Sequence, residues 1–497
     1  MSEQKKSVFE NLYYPSILLT LFLGLTFRIR FFLTGRSLWL DEAMLALNII
    51  NRSFGGLFQQ PMEYGQSSPI GYVLSVKAIT LVFGDSEYSL RLYSLIAGCF
   101  ALILMALISR DALGKTGGLI ALVFFAINPN LIYYTAETKQ YISDVLVSLA
   151  LIWLLQRQLR IQATQKDFIL FGVAGAVLLW FSHSGVFIAA GVGITLFLHY
   201  WMNKDRAGQM STILCGLAWG VSLVILYIVN LRHLASSELL LNYWQEGFME
   251  LRLGWVAGIW QGFLTTPLDF DANYLVVFAF SVIGLGYLIK YNWQLGAVII
   301  IALTLALIAS GFHKYSLLGR MLLFIVPLFF IVLSSGIIGI GALFKQRYLS
   351  LAVQVLSILY FIWAPIRISL GEFASPTYRE HIKPTLQYLS DYKKDNDLIY
   401  VYYNTGPAFR FYAPKFGLDN SDYIIGNDYS NEPHNYHDEI NSLKGKGRVW
   451  LLFSHIYENG GYNERDIILE FANRVATKIR EFRVPSTSIY LYFYDFQ

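Results

Sequence analysis

Long apolar stretches recur along the chain, and they constrain its fold more than any other feature of the sequence. A membrane-spanning helix needs about 20 apolar residues, because each residue advances about 1.5 Å through a hydrocarbon layer about 30 Å thick. This criterion predicts about eleven spans, which is typical of an α-helical polytopic membrane protein. The predicted spans cover residues 13–34, 89–109, 117–134, 142–158, 167–182, 185–202, 210–230, 272–290, 294–311, 319–343 and 349–366.

The composition agrees with this fold class. Hydrophobic residues make up 55% of the chain and charged residues 14%, whereas soluble domains have about 25% charged residues. One soluble core cannot bury so much apolar surface. The net charge of +4 is too small to indicate a nucleic-acid partner. Only Cys99 and Cys215 occur, both in apolar stretches, so we expect neither a disulfide framework nor a thiolate metal site.

The distribution of basic residues predicts the orientation in the membrane. Short segments on one side carry cations such as Lys115, Arg157 and Lys204, whereas the opposite loops are longer and mix acids with bases. The positive-inside rule therefore favours a cytoplasmic N-terminus, and an odd number of spans places the C-terminal residues outside the cell membrane. The first apolar run is predicted to be an uncleaved span, because no small-residue cleavage site follows it.

The composition changes about three quarters of the way along the chain, where charged residues, Asn and Gly become frequent and no spanning stretch remains. Residues 397–403 and 448–453 have the pattern of buried strands, and residues 465–475 have helical periodicity. We therefore predict a transmembrane domain at 1–371 and a small extracytoplasmic α/β domain at 372–497.

Two adjacent carboxylates follow the first span, in the stretch 37–43 (SLWLDEA). Ionisable groups at a membrane boundary cost free energy unless they are solvated or paired, and they usually mark function. A solvated loop end is the alternative. Trp39 and Leu40 argue against simple solvation, because they would hold the pair against the bilayer edge. We predict Asp41 and Glu42 as catalytic residues.

A second polar group opens the fourth predicted span, in the stretch 133–144 (YYTAETKQYISD). In a helix, Glu137, Tyr141 and Asp144 would share one face at positions i, i+4 and i+7, while Lys139 would point elsewhere. These residues are candidates for binding a substrate. Acids at a helix start are also ordinary N-terminal capping, and the sequence alone does not separate the two interpretations.

A third group consists of the cations His313, Lys314 and Arg320, near the start of the tenth predicted span. Cations beside a membrane-facing pocket suit a phosphate, because they form charge-assisted hydrogen bonds to it. The alternative is that their heads reach lipid headgroups without binding a substrate. Lys77 and Arg91 are weaker single candidates for the same role.

Several motifs of soluble enzymes are absent from the sequence. There is no Gly-rich nucleotide-binding loop after a strand, no Ser nucleophile elbow and no His-rich zinc signature. A glycosyl donor that carries a nucleotide would normally need a cytosolic nucleotide-binding domain. A lipid-phosphate donor therefore fits this chain better.

With the stretch SLWLDEA the sequence resembles the GT-C glycosyltransferases. It is most similar to bacterial relatives of protein O-mannosyltransferases (the dolichyl-phosphate-mannose-protein mannosyltransferase type) and of lipid A aminoarabinose transferases. The resemblance extends over roughly residues 20–345, and the region beyond Glu372 is only loosely similar. The other stretches that carry it are SPIGY at 68–72, EYSLR at 87–91, residues 133–144, Gly319-Arg320 and Pro327.

The resemblance implies an inverting transferase that takes a sugar from a polyprenyl-phosphate-linked donor in the membrane lipid. It also implies that Asp41 is the base or the group that orients the acceptor. Where family members often have Arg in the second outer loop, this chain has Lys139, a point charge rather than a bidentate fork. Some relatives bind a divalent metal ion, but the sequence has no obvious ligand set, so metal dependence stays open. The acceptor is equally open: a protein, a lipid or a polysaccharide.

Two other classes of protein are alternatives. A membrane transporter or lipid flippase without covalent chemistry would line a translocation path with charges. Such proteins often contain an internal repeat, and no convincing repeat is found here. The acids also cluster in the outer loops rather than at the membrane midplane. The other alternative is a non-catalytic assembly protein whose outer domain binds envelope polymers.

Overall fold

The computed structural model describes residues 3–232, 243–459 and 461–497, and within them the chain is mainly helical. The helices are, in chain order, α1 (Glu3–Phe32), α2 (Leu40–Asn51), α3 (Phe54–Gln59), α4 (Ile70–Phe83), α5 (Glu87–Ile127), α6 (Pro129–Tyr134), α7 (Tyr141–Arg160), α8 (Gln165–Leu178), α9 (Gly185–Met202), α10 (Arg206–Leu226), α11 (Leu253–Thr265), α12 (Tyr274–Tyr291), α13 (Trp293–Gly311), α14 (Val326–Ala342), α15 (Arg347–Ala374), α16 (Lys383–Tyr392), α17 (Gly406–Tyr412), α18 (Asn435–Asn441) and α19 (Glu464–Val475). The strands are β1 (Leu398–Val401), β2 (Tyr423–Ile425), β3 (Gly447–Phe453), β4 (Glu458–Asn459), β5 (Tyr462–Asn463), β6 (Thr477–Arg483) and β7 (Tyr490–Phe496).

Nine helices in these ranges are long and apolar enough to cross a membrane, namely α1, α5, α7, α9, α10, α12, α13, α14 and α15. The polytopic helical prediction is confirmed, and two features explain why eleven spans were expected. The spans predicted at 89–109 and 117–134 fall largely in α5, a 41-residue helix that kinks at Gly114, where φ is +72°. The span predicted at 167–182 corresponds to α8, whose 14 residues fall short of the bilayer thickness.

The chain divides into two compact units. The first unit comprises Met1–Thr34 and Arg52–Ser375, and the second comprises Gly35–Asn51 and Pro376–Gln497. The predicted boundary between residues 371 and 372 follows sequence position alone. The structure instead groups Gly35–Asn51, which includes α2, with the C-terminal residues.

Helix α14 forms much of the core of the first unit. It is almost entirely buried and packs against α5 and α12. Two glycines allow the close approach of α12 and α14, because a methyl group at Gly284 would overlap the carbonyl oxygen of Val332 and one at Gly336 would overlap that of Phe280. Small residues at such crossings let spanning helices pack closely. By contrast, α1, α10 and α15 leave large apolar side chains exposed, as lipid-facing helices do.

A buried arginine joins α1 to the end of α5. Arg28 is fully buried, and its guanidinium donates to the carbonyl oxygens of Gly24 at 2.9 Å, Phe125 at 3.2 Å and Ala126 at 3.1 Å. The last carbonyls of a helix lack donors within the helix, so the guanidinium satisfies two of them. This contact fixes the end of α5, just before Asn128 begins the next segment.

The second unit contains a mixed five-stranded sheet with the order β2-β1-β3-β7-β6. Strand β1 is parallel to β2 and β3, whereas β7 is antiparallel to β3 and β6. The strands predicted at 397–403 and 448–453 are confirmed as β1 and β3, and the helix predicted at 465–475 is confirmed as α19. Side chains such as Tyr400 and Tyr494 fill the core.

The segment from residue 231 to residue 271, which the sequence predicts to be an interfacial loop, is only partly described. Residues 233–242 of it lie outside the described residues. The remainder contains α11, an apolar helix that carries Trp255 and Trp260, rather than a loop.

Candidate active site

Residues 128–160 form a pair of helices separated by a turn, not one helix. Asn128 caps α6 by accepting a 2.8 Å hydrogen bond from the Leu131 amide, and Pro129 follows at the first helical position. Helix α6 ends at Tyr134 and α7 begins at Tyr141. The predicted common helix face was therefore wrong for Glu137, which lies fully buried in the intervening turn.

Asp144 lies in the first turn of α7 and faces the break between α8 and α9. The Ser182 hydroxyl donates to its Oδ1 at 2.6 Å, and the same hydroxyl oxygen accepts the Gly185 amide at 2.8 Å. The Ser184 hydroxyl lies 3.2 Å from that of Ser182. The chain break at residues 182–184 thus supplies hydroxyl groups that hold one carboxylate in place.

Arg320 is held by aromatic rings of the first unit. Its guanidinium lies 5.2 Å from the centre of the Tyr141 ring and 5.5 Å from that of Trp244. The preceding Gly319 adopts a left-handed φ of +51°, which glycine does at little cost, and so turns the chain into the segment Gly319–Ile325. Arg320 is half-buried, so its charge can meet a ligand.

Tyr134 lies within electrostatic range of both Glu137 and Arg320. Burial raises the pKa of Tyr134 well above its ordinary value; the charge of Glu137 raises it further and that of Arg320 lowers it. Both charges must therefore lie within electrostatic range of one hydroxyl. The Tyr134 ring also packs edge-on against Tyr141, with ring centres 5.2 Å apart. The first unit thus brings together Glu137, Tyr141 and Arg320.

The remaining predicted cations of this unit have separate surroundings. Lys139 is buried and donates to the side-chain oxygen of Gln66, in the loop before α4. Lys77 on α4 and Arg91 on α5 are also buried. The predicted roles of Lys77 and Arg91 in binding the donor remain predictions.

His313 and Lys314 are exposed in the turn after α13. The His313 ring stacks on Phe248 with ring centres 4.9 Å apart. The next residue, Tyr315, points inward instead: its ring packs against Phe187, and its hydroxyl donates to the Met321 carbonyl at 2.6 Å. The turn therefore presents two cations to solvent and uses Tyr315 to anchor the segment that carries Arg320.

In the second unit, the loop before α2 is fastened to C-terminal residues by hydrogen bonds. The Leu38 amide donates to the Tyr412 hydroxyl at 2.8 Å, and the Ser37 hydroxyl lies 2.9 Å from Nδ1 of His381. Lys383 donates to the carbonyl oxygen of residue 35 at 2.6 Å. The loop that carries the two adjacent carboxylates is therefore ordered by the C-terminal part of the chain.

Asp41 and Glu42 form the first turn of α2, which packs against α17. Asp41 is half-buried and Glu42 is fully buried. A solvated loop end would leave both carboxylates exposed, so this geometry does not fit that alternative. The Asp41 carboxylate also acts on His455: a hydrogen bond with Glu380 raises the pKa of His455 most, and the charge of Asp41 adds to that effect.

Sequence reasoning missed the side chains that support these candidates. Ser182 and Gln66 gave no signal because single Ser and Gln residues in loops are common. Glu380 and His455 were missed because they lie in the domain to which the family resemblance was not extended. One signal was available: His455 follows a buried strand, and polar residues at the carboxyl ends of parallel strands often line sites.

The described residues do not provide a metal site. Across residues 3–232, 243–459 and 461–497, no three or more His, Cys, Asp or Glu side chains form a group that could hold a metal ion.

The fold is similar to that of the GT-C glycosyltransferases, the class that the sequence resembles. ArnT from Cupriavidus metallidurans, in the apo state, is similar with a TM-score of 0.55 over 98% of this chain and 98% of that chain, at 11% sequence identity. An oligosaccharyltransferase from Archaeoglobus fulgidus, in complex with Zn and sulfate, is similar with a TM-score of 0.50 over 88% of this chain and 67% of that chain, at 13% identity. At these identities the likeness establishes the fold.

A further solved structure and one family agree with this class. AglB from Archaeoglobus fulgidus, with an inhibitory peptide and a dolichol-phosphate, has a TM-score of 0.50 over 89% of this chain and 69% of that chain, at 12% identity. Residues 67–229, about a third of the chain, match the family described as dolichyl-phosphate-mannose-protein mannosyltransferase. No curated protein sequence matches the chain.

Proposed function

We propose that this chain is an inverting glycosyltransferase that moves a sugar from a polyprenyl-phosphate-linked donor to an acceptor hydroxyl at the extracytoplasmic face of the membrane. The observation that carries the proposal is that residues 67–229, which match the mannosyltransferase family, contain the buried Glu137 and Tyr141 and also Asp144, whose carboxylate accepts the Ser182 hydroxyl. The GT-C fold along nearly the whole chain supports the same activity.

On the donor side, the chemistry needs a cation. When the bond between the sugar C1 and the phosphate oxygen breaks, that oxygen keeps the electron pair and gains negative charge. Arg320 is preorganised by the rings of Tyr141 and Trp244, so it can stabilise this charge without rearranging. Glu137 lies within electrostatic range of the same Tyr134 hydroxyl as Arg320. Lys139 is a second donor-binding candidate.

On the acceptor side, the chemistry needs a base. Asp41 takes the proton of the acceptor hydroxyl while its oxygen forms the new bond to C1, on the face opposite the departing phosphate, which inverts the anomeric centre. A positioned base contributes about 10²–10⁴ in rate. The half-buried first turn of α2 suits this role, because Asp41 is ordered but still reachable.

The chain is a multi-pass membrane protein, and we propose that its N-terminus is cytoplasmic and its C-terminal residues extracytoplasmic. The bias of short-loop cations supports this orientation. It would place the carboxylates of the first outer loop in an aqueous compartment, while the lipid tail of the donor stays in the bilayer.

The transporter alternative is not favoured. A translocation path would need charges near the middle of the spans, whereas Glu137 lies in a turn between helices and Asp144 in the first turn of α7. The helix ends therefore carry the chemistry, as an interfacial transferase requires.

The proposal is tested with purified full-length protein, a panel of polyprenyl-phosphate sugars and acceptor mixtures from envelope extracts, with product detected by mass spectrometry. We expect the wild type to consume one donor. We expect Asp41→Asn to fold normally but to react more slowly by a factor of about 10²–10⁴. Asp395→Asn is the matched control, because Asp395 is an exposed carboxylate of the same unit. Full activity of Asp41→Asn, or no donor consumed by the wild type, would contradict the proposal.

A further inference from the structure

One buried carboxylate of the second unit bridges the acidic first loop and a histidine. Glu380 accepts the Leu40 amide through Oε2 at 3.0 Å and meets Nδ1 of His455 through Oε1 at 2.7 Å. Because a carboxylate accepts, Nδ1 of His455 must carry the proton in this pair. Leu40 immediately precedes Asp41, so Glu380 fixes the backbone at the start of the turn that presents Asp41.

His455 is itself held rigidly. It lies two residues after the carboxyl end of β3 and has a left-handed φ of +49°. Its carbonyl oxygen accepts the side-chain amide of Asn404 at 3.1 Å, and the Ser454 carbonyl accepts the Thr405 hydroxyl at 3.4 Å. Non-glycine residues rarely adopt this φ, so the loops after β1 and β3 jointly impose it. The sheet thereby sets the direction of the His455 ring.

The His455 ring also faces the loop it supports. Its centre lies 6.3 Å from that of Trp39. The Asp41 carboxylate lies within electrostatic range of the ring, because its charge contributes to the raised pKa of His455 after the larger effect of Glu380. Three consecutive residues therefore interact with the Glu380–His455 pair. The Trp39 ring lies near the His455 ring, the Leu40 amide donates to Glu380, and the charge of Asp41 acts on His455.

We infer that Glu380 and His455 are positioning residues for Asp41, so that the C-terminal domain sets the geometry of the proton-accepting step. The inference rests on the proposed role of Asp41 as the base. Glu380 holds the backbone amide before Asp41, and His455 holds Glu380 in the orientation that this bond requires. Neither residue needs to touch a substrate.

Three variants of His455 separate positioning from general stability. Asn places its amide nitrogen where Nδ1 of His lies, and Asn tolerates a left-handed φ, so His455→Asn keeps the donor to Glu380. Gln places its amide nitrogen near the position of Nε2, so His455→Gln loses that donor. His455→Ala removes the ring altogether. His437→Ala is the control, because His437 is exposed and pairs with its neighbour Asp438.

The kinetic measurement compares the change in kcat with the change in KM for the donor that the wild type uses. A misplaced base slows the chemical step by about 10- to 100-fold. We expect that loss of kcat in His455→Ala, His455→Gln and Glu380→Ala, with the donor KM changed by less than about threefold. His455→Asn and His437→Ala should keep kcat within about threefold of the wild type. Equal kcat in all variants would overturn the inference.

A second readout does not depend on activity. Hydrogen–deuterium exchange of the full-length protein reports the order of residues 35–44. We expect faster exchange there in Glu380→Ala and His455→Ala, and wild-type exchange in His455→Asn. Unchanged exchange in the alanine variants, or faster exchange with unchanged kcat, would overturn the inference. If the wild type transfers no sugar while the exchange pattern follows expectation, the proposed function fails and the structural link remains.

Discussion

At the scale of single residues, Arg320 is the clearest donor-binding candidate, because two aromatic faces fix its guanidinium. A cation over an aromatic ring contributes about 0.5–2 kcal/mol, and a phosphate would add charge-assisted hydrogen bonds. We predict that Arg320→Ala raises the donor KM by about tenfold or more and changes the acceptor KM little, while Arg320→Lys has an intermediate effect. Initial rates at varied donor concentration measure this.

Arg252→Ala is the control for the Arg320 variants. Arg252 is also a cation of the first unit, but its side chain is 77% exposed and pairs with Glu250. If Arg320→Ala raised the KM for the donor and the KM for the acceptor equally, the result would instead indicate that Arg320 supports the fold.

Replacing Asp397 tests how much one buried carboxylate contributes to the stability of the second unit. Its side chain is nearly fully buried, and Arg448 donates to it at 2.6 and 2.9 Å while the Trp450 ring nitrogen donates at 2.9 Å. We predict that Asp397→Asn costs about 2 kcal/mol of unfolding free energy, because it removes the charge that both donors meet. Glu470→Gln should cost little, since its pair with Arg474 is exposed. Thermal melting of the full-length protein compares the two variants.

The Asp397 carboxyl group also predicts how the stability of the second unit depends on pH. Burial raises the pKa of Asp397, but the hydrogen bonds from Arg448 and Trp450 outweigh burial, so its pKa is lowered. A lowered folded-state pKa gives stability that is complete above the ordinary Asp value of about 3.9 and is lost as the pH falls below it. The difference in melting temperature between wild type and Asp397→Asn should therefore be constant near neutral pH and shrink below about pH 4. A constant difference down to low pH would contradict this account.

At the scale of helices, the crossing of α12 and α14 depends on two glycines. A methyl group at Gly284 would overlap the backbone of α14, whereas one at Gly286 would meet no atom within 4 Å. We predict that Gly284→Ala lowers the unfolding free energy by about 1–3 kcal/mol, because the helices must separate. Gly286→Ala on the same helix is the matched control. Melting of both variants in detergent tests this, and equal stability would mean that the crossing adapts.

The helices could be predicted well from sequence because apolar length is a local property. Every predicted span has a helix in the structure, and the break at residues 182–184 was expected. The turn at residues 135–140 could not be predicted, because long-range contacts shape that segment. The Ser94 hydroxyl donates to the Glu137 carbonyl at 2.8 Å and the Ser68 hydroxyl donates to the Gln140 side chain at 3.3 Å, from 43 and 72 residues away in sequence. The sequence periodicity of α7 does not predict those hydrogen bonds.

At the scale of the whole molecule, orientation is the prediction that most needs a direct test. We predict that a cysteine at Asn431, an exposed position of the second unit, reacts with a membrane-impermeant maleimide in intact cells. A cysteine at Gln162, exposed in the turn between α7 and α8, should react only after the membrane is opened. The native Cys99 and Cys215 lie within α5 and α10. The reverse labelling pattern would invert the proposed topology.

The organisation into units was only partly accessible to sequence reasoning. The compositional change near residue 372 predicted a separate C-terminal domain, because loss of apolar length is visible locally. The membership of Gly35–Asn51 in that unit was not visible. It depends on partners such as Glu380 and Tyr412, which are more than 300 residues away and look like ordinary surface residues in the sequence.

This grouping has a consequence for protein engineering with relatives of the same fold. A chimera that exchanges only Gly35–Asn51 would separate the loop from its hydrogen-bond acceptors, and a chimera that exchanges only Pro376–Gln497 would leave the acceptors without the loop. Either graft breaks one folding unit in two. Recombinants that keep their function should therefore inherit both pieces from the same parent, even though most of the gene lies between them.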